Sequence, residues 1–489
     1  MPQYRPTIGL EIHAELKTRT KMFCACLNNP DEETPNKNIC PVCMAHPGTL
    51  PVINREAVRL VLLMGTALKA TLANYTEFDR KNYFYPDIPK GYQISQYAHP
   101  LVSGGELNGV ALTRVHLEED TARSQHVNDL SPNGGRSLVD YNRAGVPLME
   151  LVTEPVIHDA KVAGDFAREL QLLLRALGAG EANMEKGEMR VEANISIAPV
   201  RSAIEINKKE MNPILGTKVE VKNLNSFRSV ERAIAYEIER QTKLLNNGEK
   251  IEQETRGWDE NKQTTFSQRK KESSHDYRYF PDPDLPKLFL SEIAEFKRDI
   301  LEKELPELPW QKRDRYLKLG LKKDDAEMFA REQLLGNFFD KAALDVRGET
   351  ALLIANYIGS DIAGKREVGE VKDTWLLDPA NALRLRKLIE LIQRGALSSR
   401  GAKDVLAIML SQSDDPEVIA KEKGLVQQSD TGLLSEIAQK VISANPQVAA
   451  DYRTGKEAAL QFLVGQGMKE SRGSANPLEL REQIKKVIG

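Results

Sequence analysis

The chain has 489 residues, of which 41% are hydrophobic and 28% are charged, and its formal net charge is −3. This composition is typical of a globular protein, and the length is enough for about two to four domains. The small net charge gives no overall basic field that would indicate a nucleic-acid partner. A signal-peptide core and a run of about 18 apolar residues are both missing from the sequence, so we expect a cytoplasmic protein with no membrane span.

The first predicted strand, residues 8–16, reads IGLEIHAEL and alternates apolar with polar side chains. Successive side chains on a strand point to opposite faces of a sheet. Leu10 and Ile12 therefore share one face, and Glu11, His13 and Glu15 share the other. Two carboxylates and an imidazole on one face are unusual for an ordinary solvent-facing strand, which suggests a site.

The cysteines of the chain all lie in one segment, at Cys24, Cys26, Cys40 and Cys43. A reducing compartment argues against disulfides, and two close cysteine pairs joined by a loop can converge on one zinc ion. Four thiolates would leave such an ion no open position, so it would hold the loop at 24–43 and do no chemistry. Reduced or redox-active thiols are the alternative.

Three helices are predicted in the first 290 residues. One follows the candidate cap Asn54, one runs from near Asp159 to Gly178, and one runs from about Ser229 to Leu245. Between the first two lies the aromatic segment 81–92, KNYFYPDIPKGY, which either stacks on bases and grips phosphates or folds over a core. Lys81 and Tyr83 lie in this segment, and Lys222 in KNLNSF is a further polar side chain that could contact a ligand.

Further acidic strands follow the first. Glu118 and Glu119 lie in HLEED, Glu150 lies in the strand at 147–155, and Glu192 alternates with valine and alanine at 190–196. The simplest interpretation is an antiparallel sheet with one wet face. If four such strands lay side by side, however, their carboxylates would repel one another, and bound cations would offset this repulsion. Oxygen-rich clusters with one imidazole suit Mg²⁺ or Mn²⁺.

Strand patterns stop near residue 291. Ile293, Phe296 and Leu301 predict an amphipathic helix that ends before Pro306, and Asp378-Pro379 opens another that Gly395 closes. From about residue 410 the helices become shorter and more polar. We therefore predict an α+β protein with a mixed α and β domain at 1–290, a helical domain at 291–409 and a small terminal domain at 410–489.

The segment Gly359–Lys365 is close to a phosphate-binding loop, but Arg366 stands where serine or threonine would bind Mg²⁺. No convincing strand precedes this segment. The chain also has neither a G-x-S-x-G elbow nor a dinucleotide fingerprint. The sequence therefore argues against nucleotide binding through a phosphate-binding loop or a dinucleotide fold, and against a hydrolase-type serine nucleophile.

Six stretches in order carry a family resemblance: IGLEIHAELKT, FDRKNYFYPDIPKGYQISQY, HLEED, VDYNRAGVPLMELVTEP, KNLNSF and DYRYFPDPDL. They resemble the B subunits of the tRNA-dependent aspartyl/glutamyl amidotransferases, the GatB family. The tail stretch ALQFLVGQGMKESRGSANP is similar to the end of that family, so the resemblance covers nearly the whole chain. It implies a mixed α/β cradle built on an antiparallel sheet, then a helical domain, then a YqeY-like tail that contacts tRNA.

The resemblance also implies an activity. The family works as a heterotrimer with an amidase (A) subunit, which releases ammonia from glutamine, and a small (C) subunit. The B subunit uses ATP and Mg²⁺ to phosphorylate the side-chain carboxyl of Glu on tRNA(Gln) or of Asp on tRNA(Asn). Ammonia then displaces phosphate and leaves the amide. Whether one or both misacylated tRNAs are used depends on the synthetases of the organism.

The site residues that the resemblance implies fall into three sets. The catalytic metal ligands are Glu11, His13, Glu119, Glu150 and Glu192, and Glu118 could exchange roles with Glu119. Contacts to ATP or substrate would come from Lys81, Tyr83 and Lys222. The structural zinc would be held by Cys24, Cys26, Cys40 and Cys43. The segment 198–214 is longer than the usual connection of the family and is assigned to a hairpin or surface loop.

Two other functions fit the acidic strands. A two-metal phosphatase or nuclease would use the same carboxylates and turn over without ammonia. A non-catalytic tRNA-binding scaffold for the amidase would not need them at all, so the recurring carboxylates argue against it.

Overall fold

The chain forms two compact units, residues 1–309 and residues 310–489. The computed structural model describes residues 4–127, 135–200, 215–270, 277–412, 414–427, 431–471 and 475–489. Within these ranges every strand belongs to the first unit. The α+β fold with a following helical region is confirmed. The predicted boundaries at residues 290 and 410 stay predictions.

The strands of the described residues are β1 Tyr4–Glu15, β2 Thr71–Leu72, β3 Asp79–Asn82, β4 Tyr92–Ser95, β5 Val102–Ser103, β6 Glu106–Leu107, β7 Val110–Glu119, β8 Arg123–Val127, β9 Arg136–Asp140, β10 Pro147–Thr153, β11 Met189–Pro199, β12 Val219–Leu224, β13 Glu254–Asp259, β14 Thr264–Lys270 and β15 Phe280–Pro281. Most of them build one ten-stranded sheet in the order β14-β13-β12-β11-β1-β10-β7-β5-β2, with β6 paired to β7. The pair β12–β13 is parallel, and the other pairs are antiparallel. The long strand β1 lies near the centre, between β10 and β11.

Two smaller β elements accompany the large sheet in the described part of this unit. Strands β15, β3 and β4 form a three-stranded sheet, and β8 pairs with β9 in a hairpin. The amide of Gln93 on β4 donates to the main-chain oxygen of Glu119 on β7 at 2.7 Å. This contact fixes the small sheet against the end of β7.

The helices of the first unit are α1 Arg55–Ala67, α2 Ala160–Ala176, α3 Phe227–Asn246 and α4 Arg298–Glu304. The first three begin at capping side chains, because Asn54, Asp159 and Ser226 each accept a main-chain N–H of the first turn. All three helices predicted from the first 290 residues are confirmed. Helices α2 and α3 contact β1, β11 and β12.

The single helix predicted from Ile293 to the residue before Pro306 is wrong. The structure has 3₁₀ turns at Leu290–Glu292 and Ala294–Phe296, and α4 begins only at Arg298. Ile293 and Lys297 adopt extended backbone conformations, with ψ of 112° and 140°, and these break the helical path. The side chains of Leu290, Phe296 and Leu301 are nevertheless buried, so the apolar spacing correctly marked the core contacts.

The second unit contains helices α5 Pro309–Lys318, α6 Lys323–Arg331, α7 Gln333–Ala342, α8 Glu349–Asn356, α9 Ala363–Glu367, α10 Asp373–Leu377, α11 Pro379–Gln393, α12 Ser399–Gln412, α13 Pro416–Glu422, α14 Thr431–Ala444, α15 Pro446–Arg453, α16 Glu457–Glu470 and α17 Pro477–Ile488. Asp378 caps α11 and Gly395 follows it with φ of +69°, as predicted. The rejected loop at 359–365 is a π-helical turn, Tyr357–Ile362, that continues into α9.

The described residues of the second unit form two apolar cores. One contains Tyr316, Phe329 and Phe339 and extends to Ala420, and the other begins at Leu434 and extends to Ile488. In the first unit, Leu10, Ile12 and Ala14 of β1 are buried, which accounts for the apolar half of the alternation in IGLEIHAEL. Most of the 198–214 segment lies outside the described residues.

Gly65 of α1 tests how closely this helix packs on the sheet. A Cβ atom there would lie 2.6 Å from Cγ2 of Val102 and 2.9 Å from Cδ2 of Leu72. We expect Gly65→Ala to lower the free energy of unfolding by about 1–3 kcal/mol, because the added methyl overpacks the core. Denaturant unfolding measures this. The control is Gly465→Ala on α16, where no atom lies within 4 Å of the new Cβ. A variant at Gly65 as stable as this control would contradict the packing.

Candidate functional site

Strand register brings the predicted polar side chains onto one face of the large sheet. His13 of β1 lies opposite Glu150 of β10, and Glu150 lies opposite His116 of β7. On the other side of β1, Glu11 pairs with Glu192 of β11. Directly paired residues of antiparallel strands project to the same face. We call the set Glu11, His13, His116, Glu118, Glu150 and Glu192 the acidic face.

The centre of the acidic face is Glu150. Its Oε2 lies 3.3 Å from Nε2 of His13 and 3.4 Å from Nε2 of His116. His13 Nε2 is also 3.7 Å from Oε1 of Glu118. Glu150, Glu118 and His116 are buried, while His13 and Glu11 are partly exposed. The site therefore opens to solvent on the side of β1.

Two overlapping groups on this face have the geometry of a cation site. Potential ligand atoms of Glu11, His13 and Glu150 lie within 4.8 Å of one another, and so do those of His116, Glu118 and Glu150. Carboxylate oxygens with an imidazole suit Mg²⁺ or Mn²⁺. The donor set therefore fits a divalent cation. Among the described residues, neither group includes Glu192.

The structure separates Glu119 from the acidic face. Both carboxylate oxygens of Glu119 lie 2.7 Å from Nζ of Lys90, and Oε1 accepts the main-chain N–H of Ile94 at 2.9 Å. Glu118 takes the place assigned to Glu119, because neighbouring residues of a strand project to opposite faces. The register supplies the reason, since Glu118 shares parity with His116, the residue paired with Glu150.

The carboxyl groups of the acidic face differ in the direction of their pKa shifts. Burial raises the pKa of Glu150, but His116 and His13 outweigh burial and hold the pKa of this carboxyl well below its usual range. Burial raises the pKa of Glu118 as well, and His116 and Lys81 bring it below its ordinary value. The pKa of Glu11 is raised by burial and by the carboxylates of Glu150 and Glu192. The face therefore carries firmly ionised carboxylates at its centre.

The three polar side chains predicted to contact ATP or substrate lie around the acidic face. Burial lowers the pKa of Lys81, but nearby groups, Glu118 first among them, outweigh burial and raise the pKa above its ordinary value. This lysine is therefore charged. Its Nζ is 5.2 Å from the ring centre of Tyr277, whose ring meets that of Tyr83 edge to face at 6.1 Å. Lys222 Nζ lies 2.8 Å from Oε2 of Glu192. Lys222 and Glu192 thus form an ion pair at the edge of the face.

The four cysteines converge as their spacing predicts. Their Sγ atoms all lie within 4.8 Å of one another. Hydrogen bonding to the Cys24 thiol is the main cause that lowers the pKa of Cys43 to about 5, while burial raises the pKa of Cys26 to about 12. A thiolate surrounded by three thiols is a donor set that suits a tetrahedral zinc ion. The cluster therefore fits the structural metal expected for the loop at 24–43.

The thiol cluster lies next to Glu119. A cavity of about 170 Å³ is lined by Cys24, Cys43, Lys90 and Glu119, together with Tyr92 and Gly145. The loop is tied to the sheet region by main-chain bonds, including Met22 N to Gly145 O at 2.7 Å. In the part of the chain that the structure describes, no helix has the length and apolarity needed to cross a membrane.

Comparison with known proteins decides the family. The family model described as GatB/GatE catalytic domain matches residues 6–294, and the one described as GatB domain matches residues 338–488. The chain belongs to the GatB family. The family resemblance drawn from the sequence motifs is confirmed.

Full-length relatives agree with this assignment. The chain is 43% identical over 494 residues to a protein of Thermoanaerobacter pseudethanolicus, with 99% of each chain covered. It is 41% identical over 507 residues to a protein of Crocosphaera subtropica, with 99% of this chain and 98% of the relative covered. A third relative, from Thermodesulfovibrio yellowstonii, is 43% identical over 498 residues, with 99% of each chain covered. Each of the three relatives is named as the B subunit of an aspartyl/glutamyl-tRNA(Asn/Gln) amidotransferase.

Sequence reasoning missed His116 and Arg114 of β7. Arg114 Nη2 lies 3.6 Å from Oε1 of Glu150, whereas His13 approaches the other oxygen, Oε2. The alternation R-x-H-x-E at 114–118 carried the signal, since all three side chains share one face of a strand. The adjacent pair Glu118-Glu119 obscures this signal, because its two carboxylates have opposite parity.

Glu15 lies at the end of the same face and makes stability depend on pH. Burial and the carboxylate of Asp120 raise its pKa from the ordinary 4.5 to about 8. Between these values the unfolded chain is ionised at this residue while the folded chain is protonated, so stability falls as pH rises. We expect Glu15→Gln to become more stable relative to the parent chain by at least about 1 kcal/mol between pH 5 and pH 9.

Denaturant unfolding at both pH values measures the effect of Glu15→Gln. The control is Glu249→Gln, at an exposed position after α3, which should track the parent chain at both. An equal difference between Glu15→Gln and the parent at pH 5 and pH 9 would contradict the buried acid.

The thiol cluster predicts metal content. We expect the purified chain to hold about one zinc ion and Cys43→Ser to lose most of it, because three thiolates bind zinc more weakly than four. Elemental analysis after gel filtration measures this. His46→Ser in the same loop is the matched control and should keep its zinc, since His46 lies outside the thiol group. Zinc retained by Cys43→Ser, or lacking in the parent, would rule out the site.

Proposed function

We propose that this chain is the B subunit of a tRNA-dependent amidotransferase and that its acidic face phosphorylates the side-chain carboxyl of a misacylated tRNA. The substrate is Glu-tRNA(Gln), Asp-tRNA(Asn) or both. The names of relatives that match the chain over nearly its whole length support the reaction. The observation that carries the site is Glu150, held by His13 and His116 among further carboxylates.

The chemistry explains why such a face is needed. A carboxylate is a poor acyl electrophile, whereas an acyl phosphate reacts readily with ammonia. The carboxyl oxygen attacks the γ-phosphorus of ATP and ADP leaves, and ammonia then attacks the acyl carbon and phosphate leaves, giving the amide. The first step brings two anions together, so neutralising charge is a large part of the catalysis.

The side chains on and around the acidic face have different proposed roles. Glu11, His13, Glu118 and Glu150 would hold a divalent cation, Mg²⁺ or Mn²⁺. When bound, that cation supplies charge neutralisation at the phosphate oxygens. Lys81 is half-buried near Glu118 and adds a fixed positive charge that can orient a phosphate. The Tyr277 ring lies beside this lysine, and the ring of Tyr83 meets the Tyr277 ring edge to face.

The partners follow from the reaction. Ammonia would come from an amidase (A) subunit, a small (C) subunit would complete a heterotrimer, and the helical second unit would contact tRNA. A zinc ion on Cys24, Cys26, Cys40 and Cys43 would hold the loop beside Glu119. Because aminoacyl-tRNA is the substrate, we place the reaction in the cytoplasm.

Amide formation by the assembled complex tests the assignment of the site. Glutamine, ATP and Mg²⁺ are supplied with Glu-tRNA(Gln) in one reaction and with Asp-tRNA(Asn) in another, and the amino acid released from the tRNA of at least one reaction should be the amide, glutamine or asparagine. Glu150→Gln should lower the rate on the order of 100-fold, since it removes a charged ligand at the centre of the acidic face.

The control for Glu150→Gln is Glu154→Gln, just after the same strand, where the carboxylate accepts from Thr113 Oγ1 at 2.8 Å. It should retain the parent rate. Amide formation that survives Glu150→Gln would keep the complex and remove this site. Phosphate release without any amide from either misacylated tRNA would support a phosphatase instead.

A further inference from the structure

Two side chains of β7 hold each other beside Glu150. Arg114 Nε donates to Nδ1 of His116 at 3.4 Å, and Arg114 Nη2 lies 3.6 Å from Oε1 of Glu150. His116 Nε2 is 3.4 Å from Oε2 of Glu150 and 3.9 Å from Oε2 of Glu118. The arginine and the histidine therefore contact both oxygens of the Glu150 carboxylate.

The chemistry of these groups fixes where the hydrogen of the imidazole lies. A guanidinium has donors and no acceptor, so the Nδ1 atom that faces it must present its lone pair. An imidazole that accepts a hydrogen bond at Nδ1 is neutral and carries its ring hydrogen on Nε2. With Arg114 donating to Nδ1, Nε2 of His116 therefore bears the ring hydrogen. It points at two carboxylates and has no lone pair to offer a metal ion.

We propose that His116 is a positioning residue, which Arg114 orients so that its Nε2–H holds the Glu150 carboxylate toward the cation site and which does not itself bind the cation. The inference rests on the proposed function, because it assumes a cation on the acidic face. The side chain of His116 is 4% exposed and that of Glu150 is 7% exposed, so little water is present to replace this donor.

His13 makes a useful contrast. Its Nε2 lies 3.3 Å from the same Glu150 oxygen, but the Arg114 hydrogen bond goes to His116 and not to His13. The tautomer of His13 is thus not set by this guanidinium, and its side chain is 14% exposed. His13 can turn a lone pair toward a cation where His116 cannot. The competing possibility is a second cation bound by His116, Glu118 and Glu150.

Manganese binding to the full chain separates these roles. The variants are His116→Gln, whose amide N–H reaches nearly the position of imidazole Nε2, His116→Leu, which has similar bulk and no donor, and His116→Asn, which is too short. His126→Leu, on the β8–β9 hairpin, is the control. Electron paramagnetic resonance of free Mn²⁺ gives the number of ions bound and their affinity, and thermal unfolding checks that each variant is folded.

We expect all four variants and the parent to bind the same number of ions. His116→Gln and His126→Leu should match the parent affinity within about threefold, and His116→Leu and His116→Asn should bind about 10- to 100-fold more weakly, the usual effect of losing a partner that orients a ligand. If His116→Leu does not fold, the comparison of His116→Gln with His116→Asn decides the question by itself.

Three results would overturn the inference. Parent-like affinity for Mn²⁺ in His116→Leu and His116→Asn would show that His116 does not position the Glu150 carboxylate. Loss of one bound ion in both His116→Gln and His116→Leu would make His116 a ligand. A parent chain that binds no Mn²⁺ would remove the cation site altogether. That failure is distinct from failure of the amidotransferase assignment, which the ATP-dependent formation of the amide tests separately.

Discussion

Repulsion among carboxylates on one face of a single sheet is the constraint on which this structure depends. Glu11, Glu192, Glu150 and Glu118 come from four neighbouring strands and project to the same side. Like charges opposed across strands destabilise a sheet. Cations and donors offset much of this repulsion: Lys222 lies on Glu192, Ser95 donates to Glu118, and two histidines and an arginine surround Glu150. The negative charge that remains would attract the divalent cation proposed for this face.

Strand alternation lets one short segment serve two environments. Glu118 faces the acidic centre, while Glu119, one residue further, faces Lys90 and the cavity next to the thiol cluster. A loop held by four cysteines is thus placed behind the strand whose front carries the candidate catalytic carboxylates. Fixing that loop would also fix the end of β7, so a zinc ion bound there would support the site by position and not by chemistry.

Much of this arrangement could be read from the sequence, and the exceptions have physical causes. Helices α1, α2 and α11 are predictable with their caps because Asn54, Asp159 and Asp378 are local signals. The polar face of β1 follows from alternation alone. The choice between Glu118 and Glu119 cannot be made from alternation. Alternation shows only that the two side chains point to opposite faces, and the register with the neighbouring strand is needed to tell which one shares a face with Glu150. The helix predicted from Ile293 is broken at Lys297, where the backbone is extended and the apolar spacing gives no sign of it.

The central claim is that this protein activates the side-chain carboxyl of an aminoacyl-tRNA by phosphorylation. Transfer of an isotope tests it most directly. Glu-tRNA(Gln) carrying ¹⁸O in the side-chain carboxyl would be supplied to the assembled complex with ATP and glutamine, and the inorganic phosphate would be analysed by mass spectrometry. The account predicts one ¹⁸O atom in the phosphate for each amide formed, since a carboxyl oxygen leaves with the phosphoryl group. Amide formation with unlabelled phosphate would contradict it.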